Sequence, residues 1–199
     1  MKTLRMYSSS LNERYLDEAA DVLSDGEIII YPTDTLYAIG CDATNNAAIE
    51  RLCRVKELDP RRQTLSIVCS SLSMASEYAR IDNEAFRILR TNLPGPFTFI
   101  LPAATTLPKV FKGRRTVGIR IPDNPIACAL AEHIGHPLLS TSIPQEYPET
   151  DPTALALEYE DTATLMIDGG DSDNMPSTVI DLTDSRNPIL IREGKGILQ

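Results

Sequence analysis

The spacing of hydrophobic and polar positions changes several times along the chain, from the period of a helix to short apolar runs typical of strands. Residues Ser10–Glu13 have the serine and glutamate spacing of a capping box, which predicts a helix start at this point. The helical period continues to about Ser24, and Gly26 is predicted to end the helix. The buried face of this helix is predicted to consist of Leu16, Ala19, Ala20 and Leu23.

Short helical and strand-like segments alternate through the rest of the sequence. Further helices are predicted at Ala47–Lys56, where Val55 is among the residues expected to face inward, at Asp82–Leu89, at Asp123–Gly135 and from Asp151 onward. Strands are predicted at Glu27–Tyr31, Thr64–Ser70, Phe97–Pro102, Thr116–Pro122, Pro137–Ile143, Thr164–Asp168, Ser177–Leu182 and Pro188–Arg192. Single strands separated by helices, followed by strand-rich pairs, are typical of one α/β domain with a mixed sheet.

Length and composition limit the class of protein. The chain has 199 residues, which is enough for one domain with a substantial core. Its apolar runs fall short of the roughly 20 residues that span a bilayer, and Met1–Leu4 lacks the apolar stretch of a secretory signal. We therefore expect a cytoplasmic protein without a membrane partner. The four cysteines are scattered without a C-x-x-C pair, which predicts free thiols.

The charge of the chain is unevenly distributed. The net charge is −9, which opposes binding of nucleic acid at long range. Basic residues nevertheless group in two segments, Arg51–Arg62 and Lys109–Arg115. Such groups belong either to a solvated surface or to a local cationic cleft, and the charge pattern alone leaves both interpretations open.

Several predicted strands end in side chains that carry a hydroxyl group or a positive charge. Neutral hydrogen-bond donors beside a few fixed cations suit a substrate that is anionic and zwitterionic, such as a nucleotide next to an amino acid. Ligands of open α/β sheets generally bind outside the carboxyl ends of strands, so we expect these side chains to share one site. They are Thr33, Thr35, Arg120, Ser140, Thr141, Ser142, Ser177, Thr178 and Arg192.

The sequence lacks the motifs of several common catalytic and nucleotide-binding sites. It has no G-x-x-x-x-G-K-[ST] loop, no G-x-G-x-x-G fingerprint and no G-x-S-x-G elbow. Its two histidines, His133 and His136, lie beside Gly135 near a predicted helix end, where we expect them to interact with terminal carbonyls. Chemistry at the site should therefore rest on orientation and electrostatics rather than on a covalent nucleophile.

Seven ordered segments resemble the YrdC-like domain family, and they extend from about Asp25 to Gly194. The first, YPTDTLYAIGCDA, is similar to the family's Y-P-T-[DE]-T-x-Y-G-[LI]-G, with Ala38 in place of a usual glycine. The others are RVKEL, LPGPFTFILPA, TVGIRIPDNP, PLLSTS, PSTVIDL and ILIREG. The resemblance implies a single domain over residues 1–199, with its core at about 12–194. It also implies a twisted mixed β-sheet flanked by helices around a large concave cleft.

The best-known members of this family are threonylcarbamoyl-AMP synthases. They join L-threonine, bicarbonate and ATP, release pyrophosphate, and supply the threonylcarbamoyladenosine modification of tRNA. The resemblance implies the same substrates here, with Mg²⁺ carried by ATP and no other cofactor, and assigns no catalytic residue. The implied threonine-binding residues are Thr35, Arg120, Ser140 and Ser177, and the implied nucleotide-binding residues are Lys56, Ser142 and Arg192.

Two departures from the synthase pattern leave the activity open. The synthases have K-x-R after the second helix, where this chain has Lys56-Glu57-Leu58. They have S-x-N at the end of the serine strand, where this chain has Ser142-Ile143-Pro144. Both changes resemble the YciO-type branch of the family, and each lost contact costs about 1–3 kcal/mol. Our hypothesis is that Arg61 or Arg62 replaces the missing arginine.

The sequence therefore supports two alternative functions. The first is a nucleotidyltransferase that binds ATP and L-threonine and is related to threonylcarbamoyl-AMP synthase. The second is a nucleotide- or double-stranded-RNA-binding module of the same fold without synthase turnover, since some family members bind such RNA. The missing arginine and asparagine favour the binding module. The residues retained from the synthase pattern favour the enzyme, and they are Thr35, Lys56, Arg120, Ser142 and Ser177.

Overall fold

The molecule is built on one mixed β-sheet, and the computed structural model describes residues 1–59, 65–104, 107, 115–143 and 151–199. Ten strands occur in these ranges: β1 (Lys2–Arg5), β2 (Ile29–Tyr31), β3 (Ala38–Asp42), β4 (Ser66–Val68), β5 (Phe97–Pro102), β6 (Thr116–Arg120), β7 (Leu138–Ser142), β8 (Leu165–Asp168), β9 (Thr178–Asp181) and β10 (Ile189–Arg192). Their spatial order is β1-β8-β2-β3-β7-β4-β6-β5-β9-β10.

Parallel and antiparallel neighbours both occur in this sheet. The pairs β1–β8, β8–β2, β4–β6 and β5–β9 are parallel. The other adjacent pairs are antiparallel. The antiparallel β2–β3 pair is joined through residues 32–37, so the threonine-rich segment after Tyr31 lies between two central strands. The predicted mixed α/β sheet is confirmed.

Helices cover both faces of the sheet, and β2 shows this because its successive side chains are buried on opposite faces. Ile29 and Tyr31 pack with one set of helices, whereas Ile28 and Ile30 pack with the other. The first set is α1 (Glu13–Ser24) and α5 (Pro125–Ile134), and the second is α2 (Asn46–Val55), α3 (Leu72–Tyr78), α4 (Asn83–Asn92) and α6 (Pro152–Glu158). Within the described ranges, none of these helices has both the length and the apolar character needed to cross a bilayer.

The helix starts follow local capping chemistry, with one correction to the sequence prediction. Asn12, not Ser10, is the N-cap of α1, because its side chain accepts a hydrogen bond from the Arg14 backbone N–H. Ala20 is only partly buried in α1, and Val55 of α2 is 38% exposed, so neither belongs to the buried face. The predicted stop of α5 at Gly135 is confirmed, since this residue forms a left-handed C-cap at φ 76°.

Three elements were absent from the sequence prediction. Strand β3 is completely buried, so its residues show no alternation between hydrophobic and polar positions. Strand β1 and helix α3 are short, with four and seven residues, which leaves few positions from which a period can be recognised. Burial of both faces and short length therefore account for these omissions.

Candidate functional site

A cavity of about 590 Å³ opens where six neighbouring strands and their loops meet. This size is suitable for a small-molecule ligand. Hydroxyl groups from β4, β5, β7 and the start of β9 line its wall, together with the guanidinium groups of Arg120 and Arg192. The hydroxyl-bearing residues are Ser66, Thr98, Ser140, Thr141, Ser142 and Ser177. Apolar residues such as Leu36, Leu58 and Val179 complete the lining.

Arg120 at the end of β6 is a buried cation that is held through one of its nitrogen atoms. Its Nη2 donates hydrogen bonds to Asp34 Oδ1 and Thr35 Oγ1, both at 3.0 Å. Asp34 is fixed in turn, because its Oδ2 accepts from the Asp123 backbone N–H at 3.0 Å. Burial lowers the pKa of Arg120, and the Asp34 carboxylate opposes this shift. Among the described residues, none accepts a hydrogen bond from the buried Arg120 Nε, and such orphaned donors are rare.

Thr33 and Thr35 hold the Arg120 guanidinium through a directed chain of hydrogen bonds. Thr33 Oγ1 donates to the Leu36 carbonyl at 2.7 Å, so its 3.0 Å bond with Thr35 Oγ1 must use the Thr35 proton. The Thr35 oxygen then accepts from Arg120. Thr35 is completely buried and does not line the cavity, so its role here is to orient Arg120. Direct contact between Thr35 and a ligand stays a prediction.

Ser177 and Arg192 form a second polar cluster on the cavity wall. Arg192 donates to the Ser177 carbonyl through Nη2 at 2.8 Å and through Nε at 3.2 Å, and Nη2 also lies 3.2 Å from Ser177 Oγ. Ser177 Oγ shares a 2.9 Å hydrogen bond with Thr98 Oγ1. Repulsion from Arg192 also lowers the pKa of Arg120. The two positive charges therefore lie close enough to influence each other.

The structure brings together most of the residues singled out from the sequence. The cavity is lined by Arg120, Ser140, Ser142, Ser177 and Arg192, and their individual ligand contacts stay predictions. Lys56 lies elsewhere, at the C-cap of α2, with its Nζ 5.7 Å from the centre of the Tyr159 ring. Burial lowers the pKa of Lys56. The hypothesis on Arg61 and Arg62 lies outside the described residues.

The histidines have partners other than those predicted. His133 Nε2 lies 2.9 Å from Asp17 Oδ1 and joins α5 to α1. His136 Nδ1 lies 3.2 Å from Asp42 Oδ1, beside the end of β3. The predicted position of His133 near the end of α5 is confirmed, but the described contacts of both histidines are with carboxylates on neighbouring elements rather than with terminal helix carbonyls. The four cysteines are free thiols.

Two charged residues at the site were missed by sequence reasoning. Asp34 is the counter-charge of Arg120, and Lys195 Nζ donates to the Asp34 carbonyl at 2.7 Å. Lys195 also pairs with Asp173 at 2.8 Å, which lowers the pKa of that carboxyl group. Asp34 had a signal in the sequence, since a cation between apolar residues requires a partner. Lys195 had none, because its contacts depend on the path of the C-terminal segment.

Comparison with known proteins gives a consistent family. The model of the Sua5/YciO/YrdC family, whose description is telomere recombination, matches residues 21–194. YciO from Escherichia coli strain K12, described as uncharacterized, is 41% identical over 189 residues, which cover 92% of this chain and 91% of YciO. The crystal structure of E. coli YciO has a TM-score of 0.90 at 37% identity and covers 99% of this chain and 98% of that one.

Two further relatives carry names or ligands that describe a function. The threonylcarbamoyl-AMP synthase of Methylobacillus flagellatus is 36% identical over 122 residues, which cover 60% of this chain and 67% of the synthase. The crystal structure of P. abyssi Sua5 complexed with L-threonine has a TM-score of 0.83 at 29% identity. It covers 97% of this chain but only 57% of Sua5. With its matching family model, its YciO relative and its ten-stranded sheet, this chain belongs to the Sua5/YciO/YrdC family.

Proposed function

We propose that this protein binds L-threonine and ATP in the described cavity and acts as a nucleotidyltransferase related to threonylcarbamoyl-AMP synthase. In the proposed reaction the threonine amine and bicarbonate form a carbamate with loss of water. A carbamate oxygen attacks the α-phosphorus of ATP, a new oxygen–phosphorus bond forms, and pyrophosphate leaves. The product, threonylcarbamoyl-AMP, would supply the threonylcarbamoyl group for modification of tRNA adenosine.

The observation that carries this proposal is the free Nε of Arg120. A guanidinium group that is 4% exposed and held by Asp34 and Thr35 through Nη2 leaves its Nε without an acceptor among the described residues. A carboxylate oxygen suits this donor, because arginine binds carboxylates with directed, charge-assisted hydrogen bonds. The threonine complex of the Sua5 relative supports L-threonine as the ligand that supplies this carboxylate.

The remaining polar groups are assigned to the nucleotide and to the rest of the threonine. The proposal assigns Ser177 to the threonine and assigns Arg192 and Ser142 to the nucleotide, and all three residues line the cavity. In the part of the chain that the structure describes, no group of three or more His, Cys, Asp or Glu residues could hold a metal ion. Mg²⁺ would therefore be held by the phosphates of ATP. These residues bind and orient the substrates, and none of them acts as a nucleophile.

Threonine titration and pyrophosphate release test the proposal directly. Arg120→Lys keeps a cation for Asp34 but removes Nε, so L-threonine should bind about 10- to 100-fold more weakly, as expected for a lost charged hydrogen bond. Arg87→Lys is the matched control, because Arg87 makes an exposed ion pair with Glu84 on α4. Calorimetry should show unchanged threonine affinity in the control. Undetectable threonine binding by the wild-type protein would contradict the proposal.

One observation favours a second function, a binding module without synthase turnover. Leu58 occupies the arginine position of the K-x-R pattern and lines the cavity, so an apolar side chain faces the space assigned to the nucleotide. Pyrophosphate release from ATP, threonine and bicarbonate separates the two functions, since only the enzyme produces it. A duplex RNA titration at increasing salt tests the module, because phosphate-driven affinity falls steeply with salt.

A further inference from the structure

A buried hydrogen bond connects β2 to Ser140, one of the residues that line the cavity. Tyr31 on β2 is completely buried, and its hydroxyl donates a hydrogen bond of 2.7 Å to Ser140 Oγ on β7. Burial raises the pKa of Tyr31 well above its usual value. The phenol therefore keeps its proton under ordinary conditions and can serve as the donor in this bond. Ser140 Oγ is the acceptor.

The ring of Tyr31 reaches β7 only because the intervening strand carries a glycine. Gly40 on β3 lies directly opposite Ser140 in the sheet, and β2 is the other neighbour of β3. A Cβ added at Gly40 would lie 2.8 Å from the Leu139 carbonyl oxygen and 3.0 Å from Tyr31 Cε1. Neither neighbour leaves room for a methyl group. Because Gly40 has no side chain, the Tyr31 phenol can cross β3 and contact Ser140.

This contact fixes the direction of the Ser140 hydroxyl. Because Ser140 Oγ accepts from Tyr31, its own proton must point away from the phenol. No described residue accepts a hydrogen bond from this proton, whereas the exposed part of Ser140 faces the cavity. The charge of Arg120 also acts on the Tyr31 phenol, which places the guanidinium close to the same pair. The Ser140 O–H and the Arg120 Nε therefore both lack an acceptor among the described residues, and both residues line the cavity.

We propose that Tyr31 is a positioning residue, which turns the Ser140 hydroxyl into the cavity so that Ser140 and Arg120 donate to one anionic group of the ligand. This inference rests on the proposed function and deepens it, since the anionic group is the carboxylate of the amino acid. The tyrosine does not touch the ligand. It sets the role of Ser140 as a donor and excludes the arrangement in which Ser140 accepts from the ligand.

A double-mutant cycle tests the coupling between the two residues. Tyr31→Phe keeps the ring and removes the hydroxyl, and it should weaken L-threonine binding about five- to tenfold, the effect of one hydrogen bond. Ser140→Ala should have a similar effect, and the double variant should bind no more weakly than Ser140→Ala alone. Additive losses, or a Tyr31→Phe affinity within about twofold of wild type, would overturn the inference.

Tyr37→Phe is the matched control for loss of a buried phenol hydroxyl. Tyr37 is also completely buried, but its hydroxyl donates to the Gly170 carbonyl at 2.7 Å and accepts from the Gly169 N–H at 3.0 Å. Thermal unfolding should show comparable destabilisation of both variants, while threonine affinity falls only in Tyr31→Phe. Equal loss of affinity in both variants would show general loosening and would count against a positioning role.

Neutron diffraction of the deuterated, ligand-free protein tests the inference without a ligand. The expected map shows the Tyr31 deuterium directed at Ser140 Oγ and the Ser140 deuterium directed into the cavity. The reverse assignment, with Ser140 donating to Tyr31, would overturn the positioning role even if threonine binds. Failure of the wild-type protein to bind threonine, with the expected deuterium positions, would instead overturn the proposed function and leave the hydroxyl geometry standing.

Discussion

Removal of Asp34 should destabilise the fold far more than removal of an ordinary surface carboxylate. Only 5% of the Arg120 side chain and 7% of the Asp34 side chain are exposed. In an Asp34→Ala variant, Arg120 would keep its bond to Thr35 but lose its counter-charge. Arginine side chains are not deprotonated in proteins, so the charge cannot be removed by release of a proton. The variant therefore buries an uncompensated positive charge.

The magnitude follows from the burial of the pair. Breaking a buried ion pair by removing one partner costs about 3–5 kcal/mol. The Asp123 N–H also loses its acceptor, but it is exposed and water can replace the carboxylate. We therefore expect the free energy of unfolding to fall by about 3–5 kcal/mol. In urea this corresponds to a midpoint lower by about 1–2 M.

Urea unfolding followed by circular dichroism measures this change, and two further variants define its cause. Glu84→Ala removes one partner of an ion pair with exposures of 74% and 51%, and it should cost less than about 1 kcal/mol. Asp34→Ala combined with Arg120→Met removes both buried charges and should recover much of the loss. A cost below about 1 kcal/mol for Asp34→Ala, or a double variant less stable than both singles, would refute the electrostatic reasoning.

Three shorter predictions address other parts of the molecule. Leu58→Arg adds a cation to the cavity wall and should raise ATP affinity about tenfold in calorimetry, whereas unchanged affinity would separate Leu58 from the nucleotide. Lys195→Met should weaken threonine binding about two- to fivefold, because the Lys195 ammonium group holds the Asp34 carbonyl. Lys195→Arg keeps the positive charge and should weaken binding less. Equal losses of affinity in the two variants would contradict this reasoning. Burial raises the pKa of Cys69 to about 12 and that of Cys128 to about 11, whereas unfolded thiols ionise near about 8.5. Stability should therefore fall by about 1.4 kcal/mol per pH unit for each thiol between about pH 9 and 11, and Cys69→Ala should reduce this slope in urea unfolding.

The elements that were predicted from sequence are those whose signals are local. The strand at Phe97–Pro102 is confirmed at both ends, because a proline and glycine turn precedes it and β-forming residues fill it. Helix α5 is likewise bounded by Asn124 and Gly135, whose side-chain capping and positive φ are properties of single residues. Strand β3 lacks such boundaries, and its assignment requires its two neighbours in the sheet.

The candidate site was predictable only as a list of residue types. Arg120 lies between Ile119 and Ile121 in the sequence, so its charge requires a partner, and the structure supplies one in Asp34. That partner lies 86 positions away along the chain, so no local pattern links the two residues. The contact between Tyr31 and Ser140 spans 109 positions and depends on Gly40 between them. These pairings arise from the strand order, which no local sequence signal specifies.

The side-chain contacts of the residues proposed to bind the amino acid are separate from Leu58, which lines the space that we assign to the nucleotide. The Arg120 side chain is held by residues after β2 and the Ser140 hydroxyl by β2 itself, and none of these hydrogen bonds involves α2 or residues 56–59. Leu58, the position at which the arginine of the synthase pattern is absent, follows α2. A change at Leu58 can therefore alter nucleotide binding while the donors proposed for the threonine carboxylate stay in place. A protein with this arrangement can bind threonine normally while it binds or converts ATP differently from the synthases. Threonine affinity and pyrophosphate release therefore have to be measured separately.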